Sequence, residues 1–150
     1  MSVETGKIYN EDCLETMERM EDASVEMTLT DIPYGEVNRD DNGLRNLDKG
    51  KADNADFDLE NFLEEVKRIT NGSIYIWCGT EQVSFIRKHL DDDLSTRIIV
   101  WEKTNPTPLN GQHLWLSGIE LCVFARKEKA TWNGDCDNTC LLYTSDAADE

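Results

Sequence analysis

The stretch Val25-Glu26-Met27-Thr28-Leu29-Thr30-Asp31-Ile32-Pro33-Tyr34-Gly35 decides the fold class. From Val25 to Thr30 it alternates towards a buried strand, the period-2 pattern of a chain with one face in a core. It stops at Asp31-Ile32-Pro33-Tyr34-Gly35, where Pro33 and Gly35 break the ladder. Residues 36–56 are polar, contain Gly43 and Gly50, and show little periodicity. They read as a loop of about 20 residues, a length that is functional or disordered in compact domains. A strand that ends on an acidic residue and opens a long loop matches the ligand position of open α/β sheets, outside the strands' carboxyl ends. A plain turn is the alternative, built by Pro33 and Gly35 with Asp31 bonding local amides.

Upstream, Lys7-Ile8-Tyr9-Asn10 reads as a short strand, and Asp12 caps a helix through Leu14, Met17 and Met20. Downstream, Asp58 caps a second helix with Phe62, Leu63, Val66 and Ile69 on one face, stopped by Asn71-Gly72. Ser73-Ile74-Tyr75-Ile76-Trp77-Cys78 is an apolar strand, followed by a helix from Glu81 to Leu90 with Val83, Phe85, Ile86 and Leu90 inward. Residues 97–101 and 119–125 are strands joined by a loop too irregular to be a helix. That connection predicts an antiparallel pair at the edge of an otherwise parallel sheet. The fold class is therefore α/β, an open helix-covered sheet with an antiparallel edge hairpin.

The bulk numbers bound the function. The chain has 150 residues, 39% of them hydrophobic and 31% charged, enough for one domain with a core. No apolar run approaches the roughly 18 residues of a membrane span, and the amino terminus has no signal-peptide pattern. The five cysteines are odd in number, which fits reduced thiols in a cytoplasm. A net charge of -16 argues against unaided nucleic-acid binding. Residues 1–95 carry 10 basic and 23 acidic side chains, residues 96–150 carry 5 and 8. A surface for a polyanion therefore belongs to the second stretch or to further sequence, while most of the acidic residues form a solvated surface.

Residues 7–35 resemble the amino-methylating DNA methyltransferases, which act on adenine N6 or cytosine N4. Asn10-Glu11-Asp12-Cys13-Leu14 and Thr30-Asp31-Ile32-Pro33-Tyr34 are similar, in order and spacing, to that family's turn-and-helix and to its Asp-Pro-Pro-Tyr signature. Val100-Trp101-Glu102-Lys103 resembles its strand ending in Trp-x-Lys, and Trp115-Leu116-Ser117-Gly118-Ile119-Glu120 its next motif. Ile32 stands where the family has its first proline, which loosens the turn. The glycine-rich Phe-x-Gly-x-Gly turn that cradles the cofactor's methionine is absent from these 150 residues. With the catalytic motif so near the start, the chain resembles the permuted order, carboxyl-terminally truncated.

The resemblance implies a Rossmann-like fold, S-adenosylmethionine as cofactor, and double-stranded DNA with a flipped target base as partner. It implies catalytic roles for Asp31, Ile32, Pro33 and Tyr34, and a place near the cofactor for Asp12 and Asp31. It also implies Tyr34, Lys103 and Trp115 around the target base. Helix capping accounts for Asp12 nearly as well, and surface and core roles are open to Lys103 and Trp115. Trp77 and Trp101 read as core residues. His89 and His113 have no partner evident in sequence, and Cys136-x3-Cys140 lacks a second pair, so no metal site is expected. The methyltransferase reading occupies residues 1–140. The abrupt change over residues 141–150 resembles translated adapter sequence and reads as a non-native tail, so the 150 residues alone are expected to be inactive. An enzyme methylating a protein glutamine or RNA, and a non-enzymatic acidic binding module, are the rivals. Neither the target base nor any restriction endonuclease partner is identifiable from the sequence.

Overall fold

The computed structural model describes residues 3–33, 57–104, 118–128, 130–132 and 140–142. Among these residues three helices, α1 (Cys13–Glu18), α2 (Leu59–Ile69) and α3 (Val83–Asp91), accompany five strands. These are β1 (Val25–Asp31), β2 (Thr70–Cys78), β3 (Ser95–Glu102), β4 (Ile119–Arg126) and β5 (Cys140–Leu142). The sheet order is β1-β2-β4-β3-β5. β1 runs parallel to β2 and β3 parallel to β5, while β4 is antiparallel to both β2 and β3. The expected antiparallel pair of β3 and β4 forms on one side of the sheet. β4 inserts between β2 and β3, and the short β5 is the edge strand beyond β3.

Local chemistry explains the helices. Asp12 accepts from the Leu14 N–H at 2.8 Å and caps α1, and Asp58 accepts from the Asn61 N–H at 3.1 Å and caps α2. Lys67 and Arg68 in the last turn of α2 complement its dipole. The expected face of α2 is the one that packs: Phe62, Leu63, Val66 and Ile69 are all buried. Each such side chain contributes about 1.5–3 kcal/mol on burial. They meet Ile74, Ile76 and Cys78 of β2, Val123 and Ala125 of β4, and Ile86 and Leu90 of α3 in one core. Arg68 binds α1 to α2, donating to the Met17 and Met20 carbonyls at 2.6 and 2.8 Å and pairing with Asp22 and Glu65.

Four local expectations are corrected. Residues 7–10 form no strand, and Ile8 is fully exposed; among the described residues no strand pairs with them, so they have no ladder there to join. Asn71-Gly72 does not stop α2, which ends at Ile69; both residues lie within β2. There they face Glu26 alone, since Val25 pairs with Thr70 and Met27 with Ser73. A β-bulge thus occupies the position where composition suggested a helix stop. Phe85 turns outward, 45% exposed and stacked on His89. His89 Nε2 lies 2.6 Å from Glu64 Oε1, an ion pair when the imidazole is protonated.

The two sheet faces differ. α2 and α3 cover the face of Ile74, Ile76, Val123 and Ala125. The opposite face carries Met27, Leu29 and Asp31 of β1, with Tyr75 and Trp77 beside them on β2. Tyr75 packs on Phe124 at 4.9 Å and Trp77 meets Trp101 edge-on at 6.0 Å. Both tryptophans are half-buried. Among the described residues no helix packs on this face, and no strand pairs with the free side of β1.

Candidate active site

The parallel strands β1, β2 and β3 all finish at one end of the sheet, where β4 begins, and Asp31, Ile32, Pro33 and Lys103 lie there. Asp31 is the last residue of β1, exposed, and in register with Trp77. Ile32 extends the pairing by one bond, its N–H donating to the Trp77 carbonyl at 3.1 Å. Its side chain is buried in the helix-covered core, 4% exposed. The strand thus has an apolar anchor next to a solvent-facing carboxylate, and the alternation of side chains makes them point to opposite faces. The Pro33 carbonyl accepts from Gln82 Nε2 at 2.9 Å.

Lys103 follows the end of β3. It is ion-paired with Glu120 of β4, its Nζ stands 5.8 Å from the centre of the Trp101 ring, and its N–H donates to the Gly118 carbonyl at 2.7 Å. Trp101 and Glu120 are register partners on the face that carries Asp31. Asp31, Trp77, Trp101, Lys103 and Glu120 therefore line one edge. Asp31 is level with Trp77, Cys122 and Ile99, and Lys103 lies three strands across and four residues further along, roughly 19 Å away at the usual strand spacing and rise. The pairing with Glu120 neutralises Lys103 locally and fixes it over the indole, so it presents a held ammonium rather than a free one.

Asp12 is a helix cap in this fold, exposed and bonded to the Leu14 N–H. Among the described residues no hydrogen bond or ion pair joins it to Asp31. Tyr34 and Trp115 lie outside the described residues. Sequence reasoning missed Gln82, and it missed Glu120 as the partner of Lys103. The Gly79-Thr80-Glu81-Gln82 turn at the end of β2 was the available signal, a glycine at a strand's carboxyl end beside the site.

The buried thiols Cys78 and Cys122 are not poised for nucleophilic chemistry. Burial, then the Glu81 and Asp31 carboxylates, push the Cys78 thiol up to about 11. Burial chiefly pushes Cys122 up to about 12, and a thiol at such values is protonated near neutrality. Among the described residues no group of three His, Cys, Asp or Glu is placed to hold a metal ion. No described helix is long and apolar enough to cross a membrane.

The sheet is open and mixed, with helices on one face and an Asp-x-Pro turn at the strand ends, the layout of a Rossmann-like fold. Three solved structures show the same fold. The chain superposes on M1.HpyAVI in complex with SAM with a TM-score of 0.63 at 22% identity, covering 92% of this chain and 64% of that one. A second M1.HpyAVI structure gives a TM-score of 0.61 at 20% identity, with 89% and 64% covered. TTHA0409, a candidate DNA modification methylase from Thermus thermophilus, gives 0.52 at 18% identity, with 83% and 54% covered. The chain thus spans about 64% of the length of the M1.HpyAVI chains, and at these identities the likeness establishes the fold. No family model and no curated protein matches the sequence.

Proposed function

We propose that this chain carries the catalytic side of an enzyme that transfers a methyl group from S-adenosylmethionine to the exocyclic amine of adenine or cytosine in DNA. The observation that carries this reading is Asp31. It is an exposed carboxylate at the carboxyl end of β1, on a backbone tied to β2 through the Ile32 N–H. The similarity to M1.HpyAVI, which was solved with SAM, supports the same reading.

Asp31 and the turn after it fit the base side of such a site. The glycine-rich turn for the cofactor's methionine is absent from the 150 residues, so their contribution is to the amine and the base. When bound, S-adenosylmethionine supplies an electrophilic sulfonium methyl. An exocyclic base amine is a weak nucleophile because its lone pair is delocalised into the ring. The Asp31 carboxylate and the Ile32 carbonyl accept hydrogen bonds from its two N–H groups and draw the nitrogen towards tetrahedral geometry. The freed lone pair would then be available to that methyl, and Asp31 would accept the proton that the nitrogen sheds. Placement supplies most of the rate. Pro33 holds the backbone that aims both acceptors, and Tyr34 stacks on the extruded base, returning roughly 1–3 kcal/mol of the few spent on flipping. Lys103 and Trp115 border the base, and Asp12 stands towards the cofactor's adenosine. With a net charge of -16, the phosphate contacts of this chain come from local basic positions.

The test is Asp31→Ala in the intact gene product, assayed for methyl incorporation into unmethylated DNA. Loss of one preorganised hydrogen-bonding group is expected to lower the rate by roughly 10²–10³. Incorporation within tenfold of the wild type overturns the assignment.

A further inference from the structure

Gln82 immediately precedes α3, at the position where a side chain ordinarily caps a helix, yet it makes no cap bond. Its amide is turned back towards the strand ends instead. Oε1 accepts from the Gly79 N–H at 2.8 Å and Nε2 donates to the Pro33 carbonyl at 2.9 Å. The Gln82 backbone N–H closes the same turn on the Gly79 carbonyl at 3.0 Å. Glu81 folds over Gly79 so closely that a Cβ there would lie 2.6 and 2.8 Å from its carboxylate oxygens. The half-buried side chain of Gln82 is therefore a strut between the turn after β2 and the turn after β1.

The strut acts where the turn is otherwise weakest. Ile32 has a free φ, unlike a proline, whose ring fixes it near about -65°. One end of Ile32–Pro33 is held by the Ile32 N–H on the Trp77 carbonyl. The other end is held by Gln82 on the Pro33 carbonyl. Neither bond uses the Ile32 carbonyl, which stands between the two anchored points.

We propose that Gln82 is a positioning residue that holds the Asp31–Pro33 turn in its reactive geometry, supplying through a side-chain amide the rigidity that Ile32 does not. As a contribution to catalysis this rests on the methyl-transfer reading above; as a contribution to the turn's geometry it does not. A displacement of about 1 Å in a positioned group can cost roughly 10²-fold in rate. The strut loses only its Pro33 arm in Gln82→Glu, because the new carboxylate still accepts from Gly79 but can no longer donate to the Pro33 carbonyl.

The experiment compares wild type, Gln82→Glu and Gln82→Ala in the intact gene product, measuring steady-state methylation of DNA and amide hydrogen exchange at Ile32 and Gly79. The expected result is a fall in kcat of at least tenfold in both variants, with KM for S-adenosylmethionine within about threefold and melting within a few degrees of wild type. Ile32 should exchange at least tenfold faster in both variants, and Gly79 faster in Gln82→Ala alone. Unchanged Ile32 exchange overturns the proposal whatever the activities. A kcat within twofold of wild type in both variants overturns its catalytic part. Should the wild type transfer no methyl group to DNA, the reading of the function fails, and the exchange data still decide whether Gln82 holds the turn.

Discussion

Gly72→Ala tests how the strand carrying Asp31 is seated. Gly72 lies in the β-bulge, where Asn71 and Gly72 of β2 face Glu26 of β1. A Cβ built on Gly72 would fall well inside the contact distance of the Glu26 carbonyl oxygen, with the carbonyl carbon at 3.2 Å. An ordinary carbon–oxygen approach is about 3.3–3.6 Å, so the start of β1 has to retreat by about 1 Å. The obstacle is backbone and cannot rotate aside. A retreat of that size carries the local N–H···O bonds from about 2.9 Å to beyond roughly 3.5 Å. Losing two of them costs about 2 kcal/mol, and overpacking adds about 1–3 kcal/mol. The lower backbone entropy of alanine in the unfolded chain returns about 0.5–1 kcal/mol. The net expectation is a destabilisation of about 3 kcal/mol, or about 6–12 °C in melting temperature for a domain of this size. Urea unfolding followed by tryptophan fluorescence measures it. Gly6→Ala is the control: Gly6 has φ +77° and nothing within 4 Å of an added Cβ, so only the positive φ is penalised, by about 1–2 kcal/mol. Should Gly72→Ala unfold within about 0.5 kcal/mol of wild type, β1 is not seated against β2 at this bulge.

Two further outcomes are expected. Cys78 and Cys122 favour the thiol in the fold, with values raised from 9.0 to about 11 and about 12. Their stabilising contribution is therefore complete below the unfolded value near 9 and is lost as pH rises through about 11–12; the urea midpoint should fall across that window, while iodoacetamide at pH 8 labels Cys13 and spares both, and peptide mapping that finds Cys122 labelled at the rate of Cys13 contradicts the packing. With Met27 57% and Leu29 62% exposed on β1, the 150-residue chain by itself should associate with rising concentration and bind S-adenosylmethionine very weakly; a monodisperse monomer with micromolar affinity in calorimetric titration would refute both expectations.

Much of this protein was legible in the sequence because the signals are local. Asp12 and Asp58 lie where their side chains can reach the first free N–H groups of a helix, and they cap in the structure as the residue type dictates. The buried face of α2 follows from the 3.6-residue period alone. The stop after Asp31 is set by Pro33, whatever surrounds it. Other features depended on partners distant in the chain. β4 lies between β2 and β3 because pairing is chosen by competition among strands, which no local period encodes. Asn71-Gly72 has the composition of a helix stop and became a bulge because Glu26, far back along the chain, occupies the space beside it. Phe85 satisfies the helical period yet turns outward, since Ile86 and Leu90 already fill the space beneath α3. Lys103 acquires a fixed position only from Glu120 on the neighbouring strand. The sequence by itself placed Asp31-Ile32-Pro33 at the end of a strand and made them the candidate site. The tertiary structure alone decided what holds them there, because Gln82 meets Pro33 across 49 positions of chain and only the parallel pairing of β1 with β2 brings the two turns within one hydrogen bond of each other.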